Sequence, residues 1–273
     1  MSYSTIMVQV DLDDSSEARL QVVAKLAQRF DSAVVGIAAG DVQPLYFLDG
    51  DAAQEFLEKD RAALEAQMAA RQQDFRRKLA GHSKPIEWRS ALARPSEYIA
   101  QEARAADLVI AGGHRKSINP LRQADAGELA LRCGRPVLVV PPQVADISLK
   151  TVIVAWKDTR EARRAVNDAL PLLHVAEHVL VVELVEKQSE RDAAKAHVQD
   201  VAAWLTRRGI AASTIATRDL IGVPGRLDIL AQDEGADVIV AGAYGHTRFS
   251  EWVFGGVTRD LLRLKRRCAL LSH

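Results

Sequence analysis

The sequence predicts an α/β protein of two tandem doubly wound domains, each a five-stranded parallel sheet flanked by helices. Three observations carry this expectation. At 273 residues the chain is longer than one hydrophobic core of ordinary size requires. Strand-like apolar runs alternate with helical patterns along its length, the signature of βαβ units. And the chain repeats itself, in three places and in the same order.

The first repeat pairs Thr5–Asp11 (TIMVQVD) with Thr151–Lys157 (TVIVAWK), each a β-branched run. Each run is followed by an acid, two variable residues and a glutamate: Asp14 with Glu17, and Asp158 with Glu161. That pattern predicts an acidic N-cap at a helix start, with the glutamate reaching back to an orphan amide. Both copies then read EAR, at Glu17–Arg19 and Glu161–Arg163. The second repeat pairs ADLVIAGG from Ala106 with ADVIVAGA from Ala236, and the third pairs RPVLVV from Arg135 with RCALLS from Arg267. Pro141-Pro142 and the polar stretch to Ser148 separate the copies, because consecutive prolines continue neither a strand ladder nor a helix. The predicted domains are therefore residues 1–143 and 149–273.

In the first copy strands are expected near 5–10, 33–38, 86–91, 107–111 and 136–140. A long helix fills about 53–80, with Phe56, Leu64, Met68, Phe75 and Leu79 on one stripe and Gly81 as its stop. In the second copy strands fall near 150–155, 178–184, 211–216, 237–241 and 268–271. The runs beginning at Leu108, Val137 and Val238 are continuously apolar, as strands covered on both faces are. Right-handed crossovers then make two doubly wound sheets.

Composition narrows the function classes. Apolar residues make up 48% and charged residues 26%, and 36 acidic side chains balance 36 basic ones. A nucleic-acid binder shows a basic excess on one face, so no nucleic-acid partner is expected. Arg259, Arg263, Lys265, Arg266 and Arg267 crowd the last helix and read as its solvated, cation-rich end. Cys133 and Cys268 form no CxxC pair and read as small buried hydrophobes in a reducing compartment. The N-terminus lacks the basic start and long apolar run of a signal peptide, and no window reaches the roughly 20 apolar residues of a membrane span. A cytoplasmic location without membrane association is the expectation.

In an open parallel sheet ligands bind beyond the carboxyl ends of the strands, where strand order reverses. The loops to inspect therefore follow the first and fourth strands. In the second copy the fourth strand runs into Ala243-Tyr244-Gly245-His246, and Gly255-Gly256-Val257-Thr258 then opens a helix carrying Val257, Leu261 and Leu264. Glycines permit close backbone approach, and a helix start offers free amides, so together they suit a phosphate. Neither GxxxxGK[ST] nor GxGxxG occurs.

Gly242-x2-Gly245-x9-Gly255, placed after ADVIVAG and before a helix, resembles the nucleotide loop of the ATP-binding universal stress proteins. Gly222-Val223-Pro224 with Ile229-Leu230 resembles that family's pattern ahead of its third helix, and the likeness recurs in each copy. The resemblance implies the Rossmann-like, adenine nucleotide α-hydrolase-like fold and a cytoplasmic stress-response role. It implies ATP, with magnesium accompanying it, as ligand of the second domain. Its contacts would be Gly242, Gly245, His246, Gly255, Gly256, Val257 and Thr258, with Ala155 and Trp156 near the base. The chain departs from the family pattern at Gly256, where a serine or threonine is usual. The family's aspartate after the first strand matches Asp11 in copy one, but copy two reads Ala155-Trp156-Lys157 there. Copy one has that acid without the spaced glycines: Gly112-Gly113-His114-Arg115 leads into Lys116–Ala126.

The resemblance further implies a pseudo-dimer within the chain, formed mainly through the fifth strands, with homodimerisation and an unidentified protein partner as further associations. Two alternatives stand beside nucleotide binding: a ligand-free scaffold whose glycines only shape a turn, and a slow ATP hydrolase. No Ser/His/Asp, Cys/His or paired-carboxylate spacing supplies catalytic residues, and no metal ligands are assigned. His174-Val175-Ala176-Glu177-His178 spells a zinc-protease pattern, but Pro171-Leu172-Leu173 ends a helix and Val179–Val182 begins a strand, so its histidines straddle a turn. Trp88 and Trp204 are packing residues, Trp252 and Phe254 anchor their loop, and Trp156 either stacks on an adenine or covers the sheet edge.

Overall fold

A computed structural model describes residues 2–12, 16–42, 51–113, 119–219, 222–245 and 256–273. The first half runs β1 (Thr5–Gln9), α1 (Glu17–Phe30), β2 (Ala33–Gly40), α2 (Asp51–Lys78), β3 (Ile86–Leu92), α3 (Pro95–Glu102), β4 (Leu108–Gly112), α4 (Ala126–Arg132) and β5 (Val137–Val140). The second runs β6 (Thr151–Ala155), α5 (Arg160–Asp168), α6 (Leu170–Val175), β7 (His178–Val185), α7 (Arg191–Thr206), β8 (Ala212–Arg218), α8 (Val223–Asp233), β9 (Ala236–Gly242), α9 (Gly256–Leu261) and β10 (Cys268–Ser272). All ten expected strands form, within two residues of their expected ends.

The strands join one ten-stranded sheet in the order β3-β2-β1-β4-β5-β10-β9-β6-β7-β8. Every described pairing is parallel except the central one, where β5 meets β10 antiparallel and Leu138 faces Leu270. The short apolar edges of the two five-stranded halves thus cover each other, which removes two unpaired edges at once. The apolar layers on both faces of the sheet cross this seam without a break: Ile6, Leu138, Leu270 and Val152 share one, and Val109, Val139, Ala269 and Ile153 the other. Side chains tie the halves further. The Tyr3 hydroxyl donates to the Asp168 carbonyl at 2.7 Å, and the Arg164 guanidinium donates to the Gly134 carbonyl at 3.1 Å.

Several local expectations are corrected. Phe56 does not belong to the buried stripe of α2. It is 46% exposed, and burial begins at Leu64, because only the C-terminal part of the helix lies over β2 and β3. Asp158 does not cap α5. Thr159 does, accepting from the Ala162 amide at 3.3 Å, and Glu161 is the second helical residue. In copy one α1 is preceded by Ser16, and Asp14 lies outside the described residues. The basic residues near the C-terminus do not form one solvated helix end. Helix α9 stops at Leu261, Arg263, Lys265 and Arg266 are exposed after it, and Arg267 is buried, bonded to Asp228 and to the Ala236 carbonyl.

Other expectations hold. Phe75 and Trp88 meet at 5.5 Å between ring centres, and Arg208 stacks over Trp204. His174 lies in α6 while His178 begins β7, so the two histidines share no helix. Both cysteines are buried and unpaired, and burial pushes the Cys133 thiol up to about 12.

Candidate functional site

Strand order reverses between β1 and β4 in the first half and between β6 and β9 in the second. At each point two adjacent parallel strands send their chains in opposite directions, and a crevice opens beyond their carboxyl ends. The two crevices have the same frame and different contents.

In the first half the crevice is filled by a buried polar network. Arg19, from the first turn of α1, donates to Asp11 Oδ2 at 2.8 Å and to the Gln9 carbonyl at 2.6 Å. Gln9 donates to Asp11 Oδ1 at 2.7 Å and accepts from the Gly112 amide at 3.2 Å. Ser16 Oγ accepts from the Asp11 amide at 3.1 Å. The Arg19 and Asp11 side chains are only 7% and 5% exposed. A Cβ at Gly112 would stand 2.4 Å from an Arg19 nitrogen, so glycine is needed here to admit the guanidinium. Asp11 is thus engaged by Arg19. His114 and Arg115 lie outside the described residues.

In the second half β9 pairs with β6 on one side and β10 on the other, and its end approaches the first turn of α5 very closely. A Cβ on Gly242 would lie 2.6 Å from the Ala162 nitrogen, so this glycine is required by helix–strand packing. A Cβ on Gly245 would lie 3.0 Å from Glu161 Oε2 and 3.4 Å from Thr159 Oγ1. Between them Tyr244 takes a positive φ of 59°, and its amide donates to Thr258 Oγ1 at 3.3 Å, tying the loop to α9. The Tyr244 hydroxyl lies against Gly127 of α4, where a Cβ would come within 2.4 Å of it. The loop of one half is therefore anchored on a helix of the other.

The predicted contacts are only partly brought together. Gly242, Gly245 and Thr258 converge, and Ala155, Tyr244 and Val257 pack against the same apolar layer. Trp156 follows Ala155 and packs against the layer on the opposite face. Gly256 opens α9. His246 and Gly255 lie outside the described residues, as do Trp252 and Phe254.

Sequence reading did not single out Glu161, Thr159 or Tyr244 as site residues. Glu161 is 5% exposed and pairs with Arg160, whose side chain is 80% exposed. Burial works against its charge, but hydrogen bonds from Arg160, from its own backbone amide and from Thr159 outweigh that and hold its carboxyl below the usual range. It is an anion at neutral pH. The EAR repeat was the available signal: a charged tripeptide recurring at the helix that borders each crevice.

Farther along the sheet, Glu183 on β7 is 8% exposed with His197 Nδ1 at 3.2 Å. Burial raises its carboxyl above the usual range despite the nearby histidine. The folded state therefore holds this proton more tightly than the unfolded chain does. Stability from it is fully present below the ordinary glutamate pKa of about 4.3 and is lost as pH rises through the raised value. Glu183→Gln is expected to be more stable than wild type at neutral pH, with the advantage shrinking toward pH 4. Thermal unfolding of both proteins across that range checks it; parallel curves refute it.

Among the described residues no group of three or more His, Cys, Asp or Glu side chains is arranged to hold a metal ion, and no helix is long and apolar enough to cross a membrane.

A model of the Universal stress protein family matches residues 2–141. No curated protein sequence matches the chain. Among solved structures, a universal stress protein from Archaeoglobus fulgidus superposes with a TM-score of 0.70 at 12% identity, covering 98% of this chain and 95% of that one. A functionally unknown protein from Pseudomonas aeruginosa PAO1 superposes with a TM-score of 0.63 at 15% identity, covering 99% and 92%. At such identities the likeness is one of fold.

Proposed function

We propose that this chain, which belongs to the universal stress protein family, is a non-catalytic, adenine-nucleotide-responsive protein of the cytoplasmic stress response. Its site would be in residues 149–273, with residues 1–143 serving as a structural partner domain. One observation supports the reading: the loop that carries Gly242 and Gly245 stands at the β6/β9 switch point and is tied to Thr258 of α9 through the Tyr244 amide. That is where a doubly wound sheet holds a ligand. Ala155 would border the base, and ATP with magnesium is the family-typical occupant. The matching crevice of the first half is already filled by Arg19 and Asp11, so one site per chain is expected. Self-association of whole chains and an unidentified protein partner belong to the same proposal.

A ligand-free scaffold is the second reading. It is favoured by the backbone of α5 standing where a Gly242 side chain would go, which accounts for that glycine without a ligand.

Denaturing freshly purified protein and analysing what it releases by mass spectrometry tests both. An adenine compound near one per chain is expected, together with a rise in melting temperature on adding ATP-magnesium or adenosine, since binding to the folded state stabilises it by mass action. Gly245→Val should weaken that binding about tenfold or more, a loss of about 1.4 kcal/mol, because its side chain would crowd Glu161 and Thr159 beside the ligand. Unchanged affinity in a folded Gly245→Val protein ends the nucleotide reading, and an empty release with no thermal shift favours the scaffold.

A further inference from the structure

The loop of the second half stands against a fixed negative charge. Among the described residues, Glu161 Oε2 is the atom nearest to where a Gly245 side chain would begin, ahead of Thr159 Oγ1. The carboxylate is held in place: its residue is buried in the first turn of α5, and its backbone packs against Gly242. Its ion-pair partner Arg160 is 80% exposed and bonds Oε1, whereas the oxygen beside Gly245 is Oε2. One amide of the first turn of α5 is also already taken, since Thr159 Oγ1 accepts from Ala162. A phosphate beside Gly242 and Gly245 would therefore meet a carboxylate and a capped helix start. A ribose hydroxyl would meet a good acceptor.

We infer that Glu161 is the charge-selecting residue of this crevice, disfavouring polyphosphate beside Gly245 and favouring an adenine ligand with hydroxyl donors and little negative charge. The inference rests on the adenine-binding reading and narrows it, from adenine nucleotides in general to the nucleoside end of the class. Two like charges a few ångströms apart near a protein surface shift an equilibrium by about tenfold or more. Glu161→Gln keeps the shape of the side chain and its acceptor while removing the charge.

The test is titration calorimetry at neutral pH without divalent cations, using adenosine, ATP and inorganic tripolyphosphate on wild type, Glu161→Gln and Arg160→Gln. Wild type is expected to bind adenosine more tightly than ATP. Glu161→Gln should move the ATP-to-adenosine affinity ratio toward ATP by about tenfold or more, and should gain affinity for tripolyphosphate in the same direction. Arg160→Gln, which keeps the carboxylate, should show neither gain. An unchanged ratio and unchanged tripolyphosphate affinity in Glu161→Gln overturn the inference, and unaltered ATP binding in that case leaves the nucleotide reading standing. If neither adenosine nor ATP binds any form, the nucleotide reading falls and tripolyphosphate decides: a gain in Glu161→Gln supports charge selection, and no gain overturns it. If Glu161→Gln does not fold, the wild-type order decides, because ATP binding more tightly than adenosine contradicts the inference.

Discussion

Arg19→Met is expected to lower the unfolding free energy by about 3–5 kcal/mol, because it removes a cation paired with the buried carboxylate of Asp11. The carboxylate is 5% exposed and accepts hydrogen bonds from Arg19 and Gln9. Removing both charges is a different change. Asp11→Asn/Arg19→Met removes both members of this pair, and the double variant should recover most of the loss, since replacing a buried ion pair with neutral groups is often close to neutral. Chemical denaturation of the three proteins gives the cycle. A single variant within 1 kcal/mol of wild type would mean that water enters this crevice, and the view of the first half as self-filled would have to be abandoned.

Leu270→Ala should cost about 2–5 kcal/mol, the range for truncating a fully buried leucine. Leu270 has no exposed surface and faces Leu138 across the one antiparallel pairing of the sheet. Both side chains lie in the apolar layer that spans the two halves. The loss should therefore move a single cooperative unfolding transition, with no separation into two. Leu138→Ala opens the adjoining space, so the pair should be non-additive by more than about 0.5 kcal/mol, as residues in contact are. Two resolved transitions in the Leu270→Ala melt would show that the halves fold independently and that the seam is merely a contact.

Much of the fold was legible because it rests on short-range patterns. Continuous apolar runs such as Leu108–Ala111 and Val238–Ala241 have the length and β-branching of strands covered on both faces, and every expected strand forms. The duplication announced the pairing of like domains. Helix starts were less legible: Asp158 and Thr159 are both good caps, and a one-residue difference in where the helix begins turns each following side chain by about 100°. Phe56 misled because periodicity marks which face of a helix is apolar and says nothing about how far the neighbouring sheet extends.

The EAR repeat marks where local sequence stops being informative. In the first copy Glu17 points outward to Lys78 at 2.5 Å and Arg19 turns inward. In the second, Glu161 turns inward and Arg163 reaches out to Asp158 at 2.5 Å. The tripeptides are identical, so their own propensities choose neither arrangement. The surroundings choose: Asp11 at the end of β1 attracts a cation into the first crevice, whereas copy two carries Lys157 there, and α5 begins so that Glu161 is its second residue. Apolar period and the backbone freedom of glycine are local properties, so the α/β alternation, the ten strands and the place of Gly242 at the end of β9 could be read along the chain. That one crevice holds an internal ion pair and the other an internal carboxylate emerges in the folded chain alone, because a buried charge is positioned by its partners across the fold and not by its neighbours along the chain.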